Sequence, residues 1–229
     1  MMNVSFNCKT CNSSFYVNNI INIGRPSNKE VACPICLSKI LVLTSGIPTS
    51  SKIQTRRCLI SDFLTKNYSH LPLFKNCIYH ITSEKNIKLI QQNGLSPYNI
   101  LKGLNISVTT GGDSSSLFLD NSLGLDKYIH LSFTPWCPMF ANKNDLYSLS
   151  ISLDILDQPD IIFCNKIATS NDAVFYDYID TNAFDLEAVY DCYDWKTTEG
   201  QSRRSQAEKY EILVPFNISP DKILEYKKL

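Results

Sequence analysis

Four cysteines stand at a spacing that suits a metal. Cys8-Lys9-Thr10-Cys11 and Cys33-Pro34-Ile35-Cys36 form two CxxC turns with twenty-one residues between them. A CxxC turn can aim two thiolates at one point, and two such turns complete a tetrahedral sulfur cage for Zn2+. All four positions are then filled by sulfur, so the zinc is expected to be structural. Two disulfides are the alternative, and they belong to oxidising compartments. The opening Met1-Met2-Asn3-Val4 lacks the charged-then-apolar pattern of a signal peptide, so a cytoplasmic, reducing location is expected. The other cysteines (Cys58, Cys77, Cys137, Cys164, Cys192) show no ligand spacing and read as small buried hydrophobes.

A second group could bind a polar substrate. Histidine is scarce: only His70, His80 and His130 occur. His80 ends an apolar stretch that reads as a strand, and Thr82 follows two positions later. Side chains alternate along a strand, so His80 and Thr82 point together while Ile81 points away. GxSxG, P-loop, GxGxxG and HExxH motifs are all absent, which argues against the common hydrolase, kinase and dinucleotide-fold chemistries.

These residues need elements to hold them. Residues 1–44 read as a small zinc ribbon, with strands at 15–17 and 39–43 leaving the two knuckles. Residues 45–75 read as a linker and basic connector that includes Arg56 and Arg57. Residues 76–229 read as a mixed α and β domain. Strands are expected at 76–81, 128–133, 145–153, 161–164, 211–215 and 222–226. Ser83 is a cap for a helix through 92, ended by Asn93-Gly94 with Pro97 beyond. Residues 103–124 are rich in Gly, Ser and Asn and read as a long loop.

The composition allows a sizeable core, with 44% hydrophobic and 19% charged residues. No apolar run reaches the roughly 18 residues a membrane span needs, so no membrane partner is expected. Twenty-two Lys and Arg balance twenty-two Asp and Glu, which excludes a global basic field. The charge is unevenly spread: residues 1–60 hold seven bases and only Glu30, whereas 145–194 hold eleven acids and only Lys166. The basic front suits a nucleic-acid contact. It suits a solubilising surface equally well.

The order of motifs beyond residue 76 resembles the DarT family, the DNA ADP-ribosyltransferase toxins of toxin–antitoxin systems. Tyr79-His80-Ile81-Thr82, Asn86-Ile87 and Asn93-Gly94-Leu95 resemble its opening. The stretch from Tyr128 through Ser132-Phe133-Thr134-Pro135-Trp136-Cys137-Pro138-Met139-Phe140 resembles its strand and Pro-Met turn. Ile161 to Asn165 and Phe175-Tyr176 resemble its central strand and helix. Arg203-Arg204-Ser205-Gln206-Ala207-Glu208-Lys209-Tyr210-Glu211-Ile212-Leu213-Val214-Pro215 resembles its Arg-rich segment, catalytic Glu and last strand.

The resemblance implies an α+β ADP-ribosyltransferase fold, two small packed sheets with flanking helices, preceded here by the ribbon. It implies cleavage of NAD+, release of nicotinamide and attachment of ADP-ribose to a base in single-stranded DNA or RNA, with DNA favoured. A role as a toxin or anti-phage effector, restrained by an antitoxin, goes with it. His80, Thr82, Tyr79, Ser132 and Phe133 are then expected at NAD+, the aromatics by stacking on nicotinamide. Arg203, Arg204, Trp136, Arg56 and Arg57 are expected along the nucleic acid, and Cys8, Cys11, Cys33 and Cys36 on zinc.

The catalytic carboxylate is Glu211 or Glu208. Glu208 closes the family's Gln-Ala-Glu, whereas Glu211 opens a strand, where rigid backbone holds it, and is favoured. Two departures bear on the acceptor. Trp136 stands where relatives often carry Arg, and only Lys102 and Lys127 supply bases in 95–127. A protein acceptor, plain NAD+ hydrolysis on the same fold, or a non-enzymatic zinc-ribbon module are the alternatives.

Overall fold

The computed structural model describes residues 4–7, 14–17, 28–32, 39–43, 59–110, 114–136, 140, 143–192 and 195–229. The chain divides into two compact units, Met1–Phe63 and Leu64–Leu229.

In the first unit β1 (Val4–Asn7) pairs antiparallel with β2 (Ser14–Val17), and β3 (Asn28–Ala32) with β4 (Lys39–Leu43). The last paired residues are Asn7↔Ser14 in one hairpin and Ala32↔Lys39 in the other. Each hairpin is therefore closed by six residues, 8–13 and 33–38, and each connection begins with a CxxC motif. Cys8, Cys11, Cys33 and Cys36 themselves lie outside the described residues, as do Arg56 and Arg57. Helix α1 spans Ile60–Tyr68.

The second unit is built on one antiparallel sheet. Its strands in chain order are β5 (Cys77–Ser83), β6 (Ile129–Ser132), β7 (Leu146–Ser152), β8 (Ile162–Cys164), β9 (Phe175–Tyr176), β10 (Glu211–Val214) and β11 (Ile223–Lys228). They lie side by side as β11-β7-β5-β6-β10-β8-β9. The expectation of two packed sheets needs correcting: the strands share a single hydrogen-bonded sheet. Its two halves meet at β5 and β6, which share one register pair, Tyr79↔Ser132. By contrast β5 pairs with β7 along seven residues, from Cys77↔Ser152 to Ser83↔Leu146. The sheet is continuous on either side of a seam and gapes at it.

The helices are α2 (Ile87–Asn93), α3 (Tyr98–Gly103), α4 (Ser114–Leu123), α5 (Leu186–Tyr190) and α6 (Thr198–Ala207). The Ser83 hydroxyl accepts the Lys85 N–H and opens a short 3-10 turn that leads into α2. Helix α4 corrects the reading of 103–124 as loop. Its Ser and Asn content lowers helix propensity, and its apolar residues Leu117, Phe118, Leu119 and Leu123 make no clean helical stripe. No described helix is long and apolar enough to cross a membrane.

Gly94 ends α2 at φ 76°, the left-handed region. Its neighbour Leu95 exchanges two backbone hydrogen bonds with Ile218, at 2.8 and 2.9 Å. A Cβ at position 94 would overlap the Ile218 carbonyl oxygen. Gly94→Ala therefore strains φ and parts the Leu95–Ile218 bridge. We expect it to cost roughly 3 kcal/mol, read as a fall in Tm of about 6–12 °C by thermal denaturation. A change under about 1 kcal/mol would show that the backbone contact is dispensable.

Candidate active site

Below the seam between β5 and β6 lies a cavity of about 450 Å³, within the roughly 300–1,000 Å³ range of small-molecule sites. His80, Thr82, His130, Ser132 and Glu211 line it from the strands. His80 and Glu211, 131 positions apart in the chain, thus face one space.

Strand register explains how the residues of β6 and β10 converge. Glu211 is the first residue of β10 and lies opposite Ser132 of β6 on one side and Cys164 of β8 on the other. Directly opposed residues share a face, and His130 lies two positions before Ser132, so Glu211, Ser132 and His130 point the same way.

Glu211 is held firmly. Its Oε2 accepts the Ala168 N–H at 3.0 Å and the His130 Nδ1–H at 3.2 Å. The other His130 nitrogen, Nε2, lies 3.4 Å from the Leu125 carbonyl oxygen. Both ring nitrogens face acceptors, so both carry protons and the ring is an imidazolium. Burial alone would lower its pKa. The Glu211 hydrogen bond and charge, the Asp120 charge and the Leu125 carbonyl outweigh burial, and the pKa is pushed up to about 9. Asp120, on α4, also lines the cavity. Burial raises its pKa first; Glu211 and Asp126 add to that while His130 opposes it.

His80 has the opposite character. Its Nδ1–H donates to the His130 carbonyl oxygen at 2.9 Å, a side-chain tie across the seam. Burial lowers its pKa, and the nearby His130 charge acts the same way, while the hydrogen bond opposes both. His80 is therefore neutral, with Nε2 as an acceptor. The Thr82 hydroxyl accepts from Asn86 Nδ2 at 3.0 Å, which leaves its own proton to donate. Asn86 Nδ2 also donates to the Thr109 carbonyl at 2.7 Å, and Asn86 Oδ1 accepts the Thr109 N–H at 2.9 Å. One buried amide thus moors the 106–110 segment against the end of β5.

The expected site residues divide. His80, Thr82, Tyr79, Ser132, Glu208 and Glu211 all line the cavity. Ser132 donates to the Thr134 carbonyl at 2.6 Å, so only its acceptor function remains for a ligand. Phe133 needs correcting: it is 2% exposed, packed against Phe163 and Phe184 at ring distances of 6.3 and 6.5 Å. Ser132 faces the cavity, so the next residue must face the core.

The two arginines serve the fold. Arg203 grips Asp185 with two hydrogen bonds, 2.6 and 2.9 Å, while Asp185 also caps α5 through the Ala188 N–H. Arg204 lies 4.3 Å from the Trp195 ring centre, bonds Glu208 at 2.9 Å and donates to the Val189 carbonyl at 2.7 Å. Neither lines the cavity. Glu208 gives one oxygen to Arg204 and Glu211 gives one to His130 and the Ala168 N–H, and the second oxygen of each makes no hydrogen bond among the described residues; Glu208 is the one paired with a permanently charged arginine. Trp136 is partly exposed and lies outside the cavity lining.

Sequence reasoning passed over His130, Asn86 and Asp120. Asn86 lies four residues after Thr82, and His130 alternates with Ser132; those spacings were the available signals.

Residues 79–225 match the DarT family, described as ssDNA thymidine ADP-ribosyltransferase. Among solved structures, Thermosipho africanus DarTG in complex with ADP-ribose superposes with a TM-score of 0.54 at 20% identity. That match covers 66% of this chain and 43% of the other, so the chain spans less than half the length of that relative. Thermus sp. 2.9 DarT in complex with ADP-ribosylated ssDNA gives a TM-score of 0.48 at 18% identity, over 66% and 80% of the two chains. The same Thermus protein in complex with NAD+ gives 0.46 at 19%, again over 66% and 80%. None of the curated proteins matches the chain.

Proposed function

The chain belongs to the DarT family, and on that premise we propose that its cleft cleaves NAD+ and transfers ADP-ribose to a base of single-stranded DNA. The observation that carries this reading is the shared cavity of His80, Thr82 and Glu211 at the seam of the sheet.

The chemistry follows from the groups. As the bond between the ribose C1″ and nicotinamide breaks, the electron pair leaves with nicotinamide and positive charge builds on the sugar, as in glycoside cleavage. Glu211 supplies a negative charge beside that cation. A base nitrogen then bonds to C1″, and its proton passes to the carboxylate or to water. Neutral His80 accepts a hydrogen bond from a substrate hydroxyl through Nε2, and Thr82 donates one. Glu208 keeps Arg204 in place rather than touching the sugar.

Domain limits of 1–44, 45–75 and 76–229 go with this reading. Cys8, Cys11, Cys33 and Cys36 hold one structural zinc. The support is that both hairpins of the first unit carry the same strand–CxxC–strand plan with six-residue connections. The basic residues of 1–60, Arg56 and Arg57 among them, and the partly exposed Trp136 are the contacts offered to the DNA strand. An enzyme of this kind calls for an antitoxin partner.

Incubation with NAD+ and mixed-sequence oligonucleotides, read by mass spectrometry, tests the proposal. ADP-ribose on DNA together with free nicotinamide is the expected result. Nicotinamide without a modified oligonucleotide would leave only NAD+ hydrolysis or a protein acceptor. Modified RNA with untouched DNA would reverse the choice of acceptor. No nicotinamide at all would end the reading.

A further inference from the structure

We infer that His130 is the positioning residue for Glu211, fixing one carboxylate oxygen so that the other is presented to the substrate. The inference rests on the reading of the cleft as an NAD+-cleaving site.

The geometry carries it. Oε2 of Glu211 takes two donors, the Ala168 N–H at 3.0 Å and the His130 Nδ1–H at 3.2 Å, while Oε1 takes none among the described residues. A carboxylate bound at one oxygen by two donors from different segments cannot rotate about its last bond without breaking both. Ala168 belongs to the segment after β8, and His130 to β6, so the side chain is fixed from both neighbours of β10. The Glu211 side chain is 13% exposed and that of His130 29%, so water competes weakly for these bonds.

Both nitrogens of His130 are engaged with acceptors, and this makes the clamp depend on protonation. A neutral imidazole has one N–H. Loss of either proton sets a bare nitrogen against the Glu211 oxygen or the Leu125 carbonyl, and the ring loses one of its anchors. Four groups face the imidazole or its backbone. Glu211 comes from β10, Asp120 from α4, the Leu125 carbonyl from the turn before β6, and neutral His80 from β5 bonds the His130 carbonyl. The two carboxylates favour the charged ring, and the folded-state pKa is raised to about 9. The sign follows: the ring is anchored on both sides while it is charged, and the clamp weakens as pH rises through about 9, where the neutral ring keeps one N–H and one of its two contacts. A slack carboxylate still offers charge, but at the wrong distance, and misplacement by about 1 Å can cost on the order of 100-fold in rate.

The test compares wild type, His130→Ala and His130→Gln in nicotinamide release from pH 6 to 10, with an NMR titration of the imidazoles. His130→Ala is expected to lower kcat by roughly 10–100-fold with the KM for NAD+ changed less than about 3-fold. The Gln amide N–H can still donate to Glu211, so His130→Gln should recover most of the rate. It should also lose the decline that wild type shows near pH 9. The NMR midpoint of His130 should fall by more than about one unit in Glu211→Gln. An Ala variant with wild-type kcat and pH profile overturns the inference and leaves the cleft reading intact. A His130 midpoint near about 6.5 in the wild type also overturns it. A wild-type chain that releases no nicotinamide overturns the cleft reading instead, and the role of His130 falls with it.

Discussion

Exchange of Glu211 for Gln is expected to lower nicotinamide release by about 100- to 1,000-fold or more, the scale of losing a preorganised electrostatic partner at a developing charge. Gln matches Glu in shape, and its amide oxygen can still accept the Ala168 N–H that Oε2 accepts at 3.0 Å. Strand β10 begins at this residue and pairs on both sides, so the backbone stays in register. What disappears is the charge beside the sugar, and with it the counter-ion of His130. The matching exchange Glu208→Gln predicts the reverse. Glu208 bonds Arg204 at 2.9 Å, and Arg204 in turn holds the Val189 carbonyl and covers Trp195. Removing that carboxylate leaves a partly buried guanidinium short of a partner, so Tm should fall while the rate changes by less than about 10-fold. Steady-state kinetics and melting curves on the two variants decide between them. A fully active Glu211→Gln with an inactive, well-folded Glu208→Gln would reverse the assignment.

The second large effect concerns metal. The purified chain is expected to carry one zinc per molecule, measured by elemental analysis, and to lose it on treatment with a strong chelator or on Cys8→Ser or Cys33→Ser. The reason lies in the size of the hairpins. β1 and β2 pair over four residues and β3 and β4 over five. Two-stranded hairpins of that length are marginal in water by themselves. A four-cysteine zinc site contributes on the order of 10 kcal/mol of folding free energy, enough to fix two such hairpins. Loss of the metal should therefore melt this region, seen as loss of the amide signals of residues 4–43. A metal-free chain with two disulfides, melted by reductant and indifferent to chelator, would remove the zinc from the proposal.

Some of this was legible from local chemistry. The two CxxC turns announce themselves within four residues each. Ser83 and Gly94 bracket a helical segment because capping and left-handed turns depend on neighbours in the chain. His80 and Thr82 share a face because strand alternation is a local rule. The long 103–124 stretch went the other way: its Ser- and Asn-rich residues read as loop, yet 114–123 is helical. Phe118, Leu119 and Leu123 stay exposed on that helix, so burial of its apolar side chains does not explain it.

The partners of the charged side chains were not legible. Arg203 and Arg204 look alike in sequence and look available for phosphates. Only the approach of α5 and of Trp195 commits them to Asp185, the Val189 carbonyl and Glu208. Phe133 looks as able to stack on a ligand as Tyr79 until the fold puts it between Phe163 and Phe184. His130 and Glu211 are 81 positions apart, and their contact exists because β6 and β10 pair with Glu211 opposite Ser132. The amino-acid order by itself determined six of the seven strands of the main sheet, the start and end of the helical segment after β5 and which side chains leave a strand together, since each depends on residues a few positions away. Strand β9 and helices α4, α5 and α6 were not legible. Tertiary structure alone decided which charges neutralise one another and which remain for a substrate, because strand register brings together groups that the chain keeps far apart.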